Sequence, residues 1–140
     1  MNMNLYSLIL THEELSYDNH SEDFFIGIFA ERQQAEETAC YYLANVAGFN
    51  EHTCAYRIVP KEIKDSADDS IPSYVWIAQG WNVNDDGDEI DMVESECFLT
   101  KDHAEDEMRT MKKTVPRTEW NIDRWTVGQC EWCEGFVRDN

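Results

Sequence analysis

The sequence predicts an α+β fold: two β-β-α-β units packed into one compact body, mainly antiparallel sheet with the helices on one face. Three observations predict it. The first is a pattern repeated 69 positions apart. Phe29-Ala30-Glu31-Arg32-Gln33-Gln34-Ala35-Glu36-Glu37 aligns without a gap on Phe98-Leu99-Thr100-Lys101-Asp102-His103-Ala104-Glu105-Asp106. The apolar stripe Ala35, Ala39, Tyr42, Val46 falls on Ala104, Met108, Met111, Val115. An internal repeat implies one supersecondary unit used twice around a shared core. The second is the spacing of that stripe, i, i+4, i+7, i+11, which is one helix face at a period of about 3.6 residues. The third is Asp86-Gly87 between two β-rich runs, a hairpin signal. At 140 residues the chain is expected to form a single domain, 1–140, with pseudo-repeats over 4–64 and 73–137 joined by a polar connector.

In chain order, Leu5 to Leu10 is a short apolar run and predicts a strand. Residues His12 to Asp23 are polar and predict a turn or loop. Phe24 to Phe29 is apolar at nearly every position, which predicts a central strand covered on both faces. The helical stripe places a helix over about 31–47, ended by Gly48 as a left-handed cap. Tyr56 to Val59 supplies a third strand, stopped by Pro60. After the polar stretch Lys61 to Ser73, Tyr74 to Val83 and Glu89 to Phe98 flank Asn84-Asp85-Asp86-Gly87-Asp88 as a hairpin. Thr100 can cap a second helix whose first turn carries Asp102, where the helix dipole favours an anion. That helix is expected to run to about Val115, with Pro116 ending it. Trp125 to Val127 predicts the next strand, and Cys130 to Val137 a short edge strand.

Composition limits the function classes. The chain is 42% hydrophobic and 12% aromatic, enough for a packed core. No apolar run approaches the roughly 18 residues of a membrane span. The N-terminal Met1-Asn2-Met3-Asn4 lacks the basic residues that open a signal peptide. A cytoplasmic protein is the expectation. Five cysteines, an odd and irregularly spaced set, fit reduced thiols better than a disulfide scaffold. Twenty-nine acids against eleven bases give a net charge of −18, shared equally at −9 between residues 1–69 and 70–140. Between Lys64 and Lys101 no base occurs, while Asp65, Asp68, Asp69, Asp85, Asp86, Asp88, Glu89, Asp91, Glu94 and Glu96 all fall there. Such a surface repels nucleic acid, whose binding depends on Lys and Arg neutralising phosphate, and steers a basic partner towards it. A high charge also confers solubility, and that reading stands beside the functional one.

Few constellations carry chemistry. Cys130-Glu131-Trp132-Cys133 is a C-x-x-C, but a thioredoxin-type motif needs its first cysteine at a helix N-terminus. A zinc site would need two more ligands. Cys130 and Cys133 are therefore weak metal candidates, and a structural role is expected. Asn82, Asn84 and Asp86 could take the first positions of a calcium loop with Gly87 at the sixth, but Val93 falls where the bidentate acid belongs. His12, His20, His52 and His103 show no ligand spacing, and there is no phosphate loop and no nucleophile elbow. No catalytic residues and no cofactor are assigned. Among the five tryptophans, Trp81 beside the acidic hairpin is the best candidate for an interface anchor, against the alternative that it is core.

Trp132, Glu134, Gly135 and Phe136, with Phe98 and Ala104-Glu105 at the strand-to-helix junction, resemble small uncharacterised bacterial domains that end near W-x-E-G-F. The resemblance covers roughly residues 74 to 137, with a diverged copy before it, and it transfers no catalytic residue. In character, the chain also looks like the small acidic immunity proteins that neutralise bacterial toxins. The functional expectation is an immunity or inhibitor protein that occludes the basic active site of a nuclease-like toxin. Its partner-binding residues would be Asp85, Asp86, Asp88, Glu89, Asp91, Glu94, Glu96 and Trp81, with no direct nucleic-acid or membrane binding. One alternative is a DNA mimic that inhibits a nucleic-acid-binding enzyme, and another is a metal or redox protein using Cys130 and Cys133.

Overall fold

The computed structural model describes residues 4–13, 21–51, 54–65, 70–85, 87, 89–131, 133 and 135. The elements are β1 (Asn4–Glu13), β2 (Ser21–Phe29), α1 (Arg32–Asn45), β3 (Cys54–Glu62), β4 (Tyr74–Val83), β5 (Glu89–Glu94), α2 (Lys101–Thr114) and β6 (Glu119–Thr126). The chain is α+β, with two three-stranded antiparallel sheets of order β2-β1-β3 and β5-β4-β6.

The expectation of helices on one face of a shared sheet differs from what is seen, because the sheets are separate and stack face to face. In β1, Leu8 and Leu10 point to a core with Phe24, Ile26, Ala35, Ala39, Tyr42, Val46 and Phe49, beneath α1. Leu5 and Ile9 point the other way, into a second core with Phe25, Ile28, Ile63, Val75, Ile77 and Cys97. That second core joins the sheets through the odd-numbered residues of β4. On the opposite face of β4, Lys101 of α2 lies over the Trp76 ring, 6.0 Å from its centroid. The layers therefore run α1, first sheet, second sheet, α2, and each helix covers the outer face of its own sheet.

β2 is not central. It is an edge of its sheet, and its apolar character comes from α1 on one side and the second sheet on the other. Its free edge is occupied by the tail: Gly128 N donates to Ile28 O and Glu131 N to Ile26 O, both at 2.7 Å. A Cβ on Gly27 would lie 2.6 Å from Gln129 O, so glycine admits this close approach. The end of β3 makes the reciprocal crossing, where Cys97 N donates to Glu62 O and Lys64 N to Cys97 O, both at 3.0 Å. The two crossings differ in sense, Ile63–Cys97 being parallel and Gly27–Cys130 antiparallel.

Other boundaries shifted for physical reasons. β3 runs through Pro60, which an edge strand tolerates because alternate N–H groups there need no partner. β6 begins at Glu119, six residues before the expected Trp125. Gly48 does not cap α1 as expected: the helix ends at Asn45 with Val46 as an extended C-cap, and Gly48, with a left-handed φ of 86°, turns the chain two residues later. Thr100 Oγ1 caps α2 by accepting from His103 N at 3.3 Å, with Asp102 in the first turn. The β4–β5 turn closes with Gly87 N donating to Asn84 O at 3.0 Å, Gly87 having a φ of 85°.

Candidate functional site

The base-free stretch folds as the β4–β5 hairpin and the run into α2. Asp85 is exposed at the turn, and Asp91 is exposed on β5 with a φ of 56°. That left-handed backbone is uncommon for a residue with a side chain, and two contacts hold it. Asn82 Nδ2 donates to Asp91 Oδ2 at 3.1 Å, and Arg117 Nε donates to Asp91 O at 2.6 Å. Glu89 opens β5. Asp86 and Asp88 lie outside the described residues, as do Asp68 and Asp69 of the connector, His20 and His52, and Trp132, Glu134 and Phe136 of the W-x-E-G-F segment. Gly135 of that segment has a φ of 83°, and a Cβ there would overlap Ala47 O, so the chain at Gly135 rests directly on the loop after α1.

Glu94 does not belong to the acidic surface. Its side chain is 6% exposed and pairs with Lys61 Nζ at 3.2 Å, itself 6% exposed, while Ser7 Oγ donates to Glu94 Oε1 at 2.8 Å. Glu94 sits opposite Gln79 in the sheet and so faces inward, towards Ser7 on β1 and Lys61 on β3. The sequence held a signal for this. Met92 stands two residues before Glu94, which puts Glu94 on the side of Met92, the side packed against the inter-sheet core. Glu96 is half-buried, and its Oε2 accepts from Glu62 N at 2.5 Å. These two acids tie the halves together, and among the described acids of the stretch Asp85 and Asp91 are the exposed ones.

Trp81 is half-buried and lines a cavity of about 190 Å³ at the end of the inter-sheet layer. Asp23, Gln79, Asp123 and Trp125 line it too. They stand on three different strands, and no linear spacing marked them.

Cys130 and Cys133 border a separate groove of about 540 Å³ between α1 and the tail, with Tyr41, Tyr42 and Val46. Tyr42 Oη donates to Glu131 O at 2.7 Å and lies 3.8 Å from Cys133 Sγ. Burial, and next the hydrogen bond with Cys133, push the Tyr42 hydroxyl pKa up, so it remains a donor. Burial also pushes the Cys130 thiol up, away from the thiolate that redox and metal chemistry use. Among the described residues, no group of three or more His, Cys, Asp or Glu converges as a metal site. Buried Cys97 is likewise pushed up, first by burial and then by the Glu94 charge.

At the start of α2, Asp65 makes a polar clasp. Its Oδ1 accepts from Leu99 N at 2.7 Å and its Oδ2 lies 2.6 Å from His103 Nδ1. That hydrogen bond raises the His103 pKa above the ordinary histidine value, outweighing the opposing effect of desolvation. A raised folded-state pKa means that the folded chain holds the proton more tightly than the unfolded one. The stabilisation is therefore full below the unfolded value, about 6.5, and is lost as pH rises through the folded one. An NMR titration should find His103 titrating above ordinary histidine, and Asp65→Asn should bring its midpoint down. An unchanged midpoint in the variant would show that the clasp does not form.

No helix among the described residues is long and apolar enough to cross a membrane. No family model, no curated protein and no solved structure matches the chain.

Proposed function

We propose that this chain is an acidic binding protein of the immunity or inhibitor type, acting in the cytoplasm and occluding the basic active-site cleft of a nuclease-like toxin. The observation that carries the reading is the hairpin. Thirty-six consecutive residues, 65–100, hold no base, and among their described acids Asp85 is exposed at the β4–β5 turn and Asp91 on β5. Charge at an exposed tip steers diffusion and sets the rate of encounter, while a half-buried aromatic at its base, here Trp81, supplies the contact that slows release.

We read the two halves as diverged copies of one β-β-α-β unit. The support is the shared order of elements, the shared strand order with the first strand of each half central, and helices whose bounds lie 69 positions apart.

The test is affinity capture from the native host with the wild-type chain and with a variant carrying Asp85→Lys, Asp86→Lys, Asp88→Lys and Glu89→Lys. The expected result is a protein of net positive charge, retained by wild type and lost by the variant, whose nuclease activity the wild-type chain suppresses. Retention of only acidic or neutral proteins, or equal capture by both chains, overturns the reading.

A further inference from the structure

The layer between the sheets is closed in its middle by Leu5, Ile9, Val75 and Ile77, but not at the end bounded by β2, β4, β5 and β6. The cavity there has three aromatic walls. Phe25 and Trp125 touch, their ring centroids 4.2 Å apart, and half-buried Trp81 stands beside them with Met92. Its polar wall is acidic. Asp23 has a side chain only 12% exposed, accepts from Thr11 Oγ1 at 2.8 Å, and has the exposed Arg57 guanidinium 4.0 Å away. Asp123 is exposed and accepts from Asn121 Nδ2 at 2.8 Å. The guanidinium of Arg124, on β6, lies over the Tyr74 ring, 4.9 Å from its centroid.

Gln79, 7% exposed, and Trp125 also line the cavity. Aromatic faces with carboxylates attract an organic cation. The occupant that suits both walls therefore carries a positive group. At about 190 Å³ the cavity is smaller than the roughly 300–1,000 Å³ of small-molecule pockets and several times the roughly 30 Å³ share of one water. It has the size of a single side chain. Of the two cationic side chains, arginine has the planar, weakly hydrated head that stacks on rings and pairs with carboxylates.

We infer that this cavity receives the guanidinium of an arginine presented by the basic protein partner, stacked among the rings of Trp81 and Trp125 and paired with the carboxylate of Asp123. The inference rests on the reading of the chain as a binder of basic proteins, and it names the anchor that the partner inserts.

The test uses N-acetyl-arginine N-methylamide as the probe, with the neutral citrulline and the lysine counterparts as controls. It is followed by the NMR signals of the Trp125 indole N–H and the Gln79 side-chain amide. The arginine probe should shift both signals saturably in the millimolar range, with the citrulline and lysine probes weaker by about tenfold or more. Asp123→Asn, at an exposed position, should weaken the probe several-fold without moving the thermal unfolding midpoint, and Trp81→Ala should weaken it further. Absence of a saturable shift, or a citrulline or lysine probe that binds equally well, overturns the inference. The probe needs no partner, so its binding reports on the cavity even where affinity capture fails. Conversely, a cavity that stays empty leaves the charge-steered reading to its own test.

Discussion

Replacing Lys61 by methionine should destabilise the chain by about 3–5 kcal/mol, because it strands the buried carboxylate of Glu94 without its counter-charge. Lys61 and Glu94 face each other across the seam between the two sheets, both side chains 6% exposed, and only Ser7 Oγ would remain to hold Glu94 Oε1. Glu94 Oε2 already lacks a hydrogen bond among the described residues, so the carboxylate has little to fall back on. The double variant Lys61→Met with Glu94→Leu should recover most of the loss, since a well-packed apolar pair is often as stable as a buried ion pair. Urea unfolding of the wild type, both single variants and the double variant gives the coupling directly. Single variants within about 1 kcal/mol of wild type would mean that the pair is open to water and does not join the halves.

Phe49→Ala should be of similar size, about 3–5 kcal/mol. Phe49 is 1% exposed and meets Phe24 and Tyr42 edge to face, with ring centroids 5.2 and 5.5 Å away. It explains why the two halves are packed so unequally. Eight residues connect α1 to β3, whereas four connect α2 to β6, and Phe49 lies in the longer connection. The first helix buries Ala35, Ala39 and Tyr42, while α2 buries only Ala104 and leaves Met108, Met111 and Val115 half-exposed. Met111→Ala should therefore cost distinctly less than Phe49→Ala in the same unfolding measurement, because less of its surface leaves water on folding. Equal losses would place the two helices in equivalent environments and contradict this packing.

The parts of the fold that were legible in the sequence are those fixed by local chemistry. Thr100 and Asp102 mark the start of α2 and Asp86-Gly87 the hairpin, because caps and turns are decided within a few residues. What depended on tertiary partners was misread or missed. The apolar run Phe24 to Phe29 predicts a central strand but forms an edge one, since burial on two faces looks the same whether neighbours cover a strand in its sheet or by stacking. The start of β6 was hidden because Glu119, Asn121 and Asp123 alternate with Trp120 and Ile122, a period of two obscured by charge. Glu94 counted as surface because an acid in an acidic stretch resembles its neighbours, although its place two residues after Met92 pointed inward. The cavity of Asp23, Gln79, Trp81, Asp123 and Trp125 could not be found by spacing, since only the stacking of the sheets brings its walls together.

The central claim is that the acidic hairpin steers a basic partner onto the chain. The most direct measurement is the association rate of the captured partner across a salt series, with wild type and with the four-fold lysine variant at Asp85, Asp86, Asp88 and Glu89. Salt screens such attraction beyond about 8–10 Å near physiological ionic strength. The wild-type rate should therefore fall steeply as salt rises, the variant should associate far more slowly at low salt, and the two should converge at high salt, while Trp81→Ala changes mainly the dissociation rate. Association rates that ignore salt, and that are the same in wild type and variant, would contradict the claim and reduce the charge to a solubility feature.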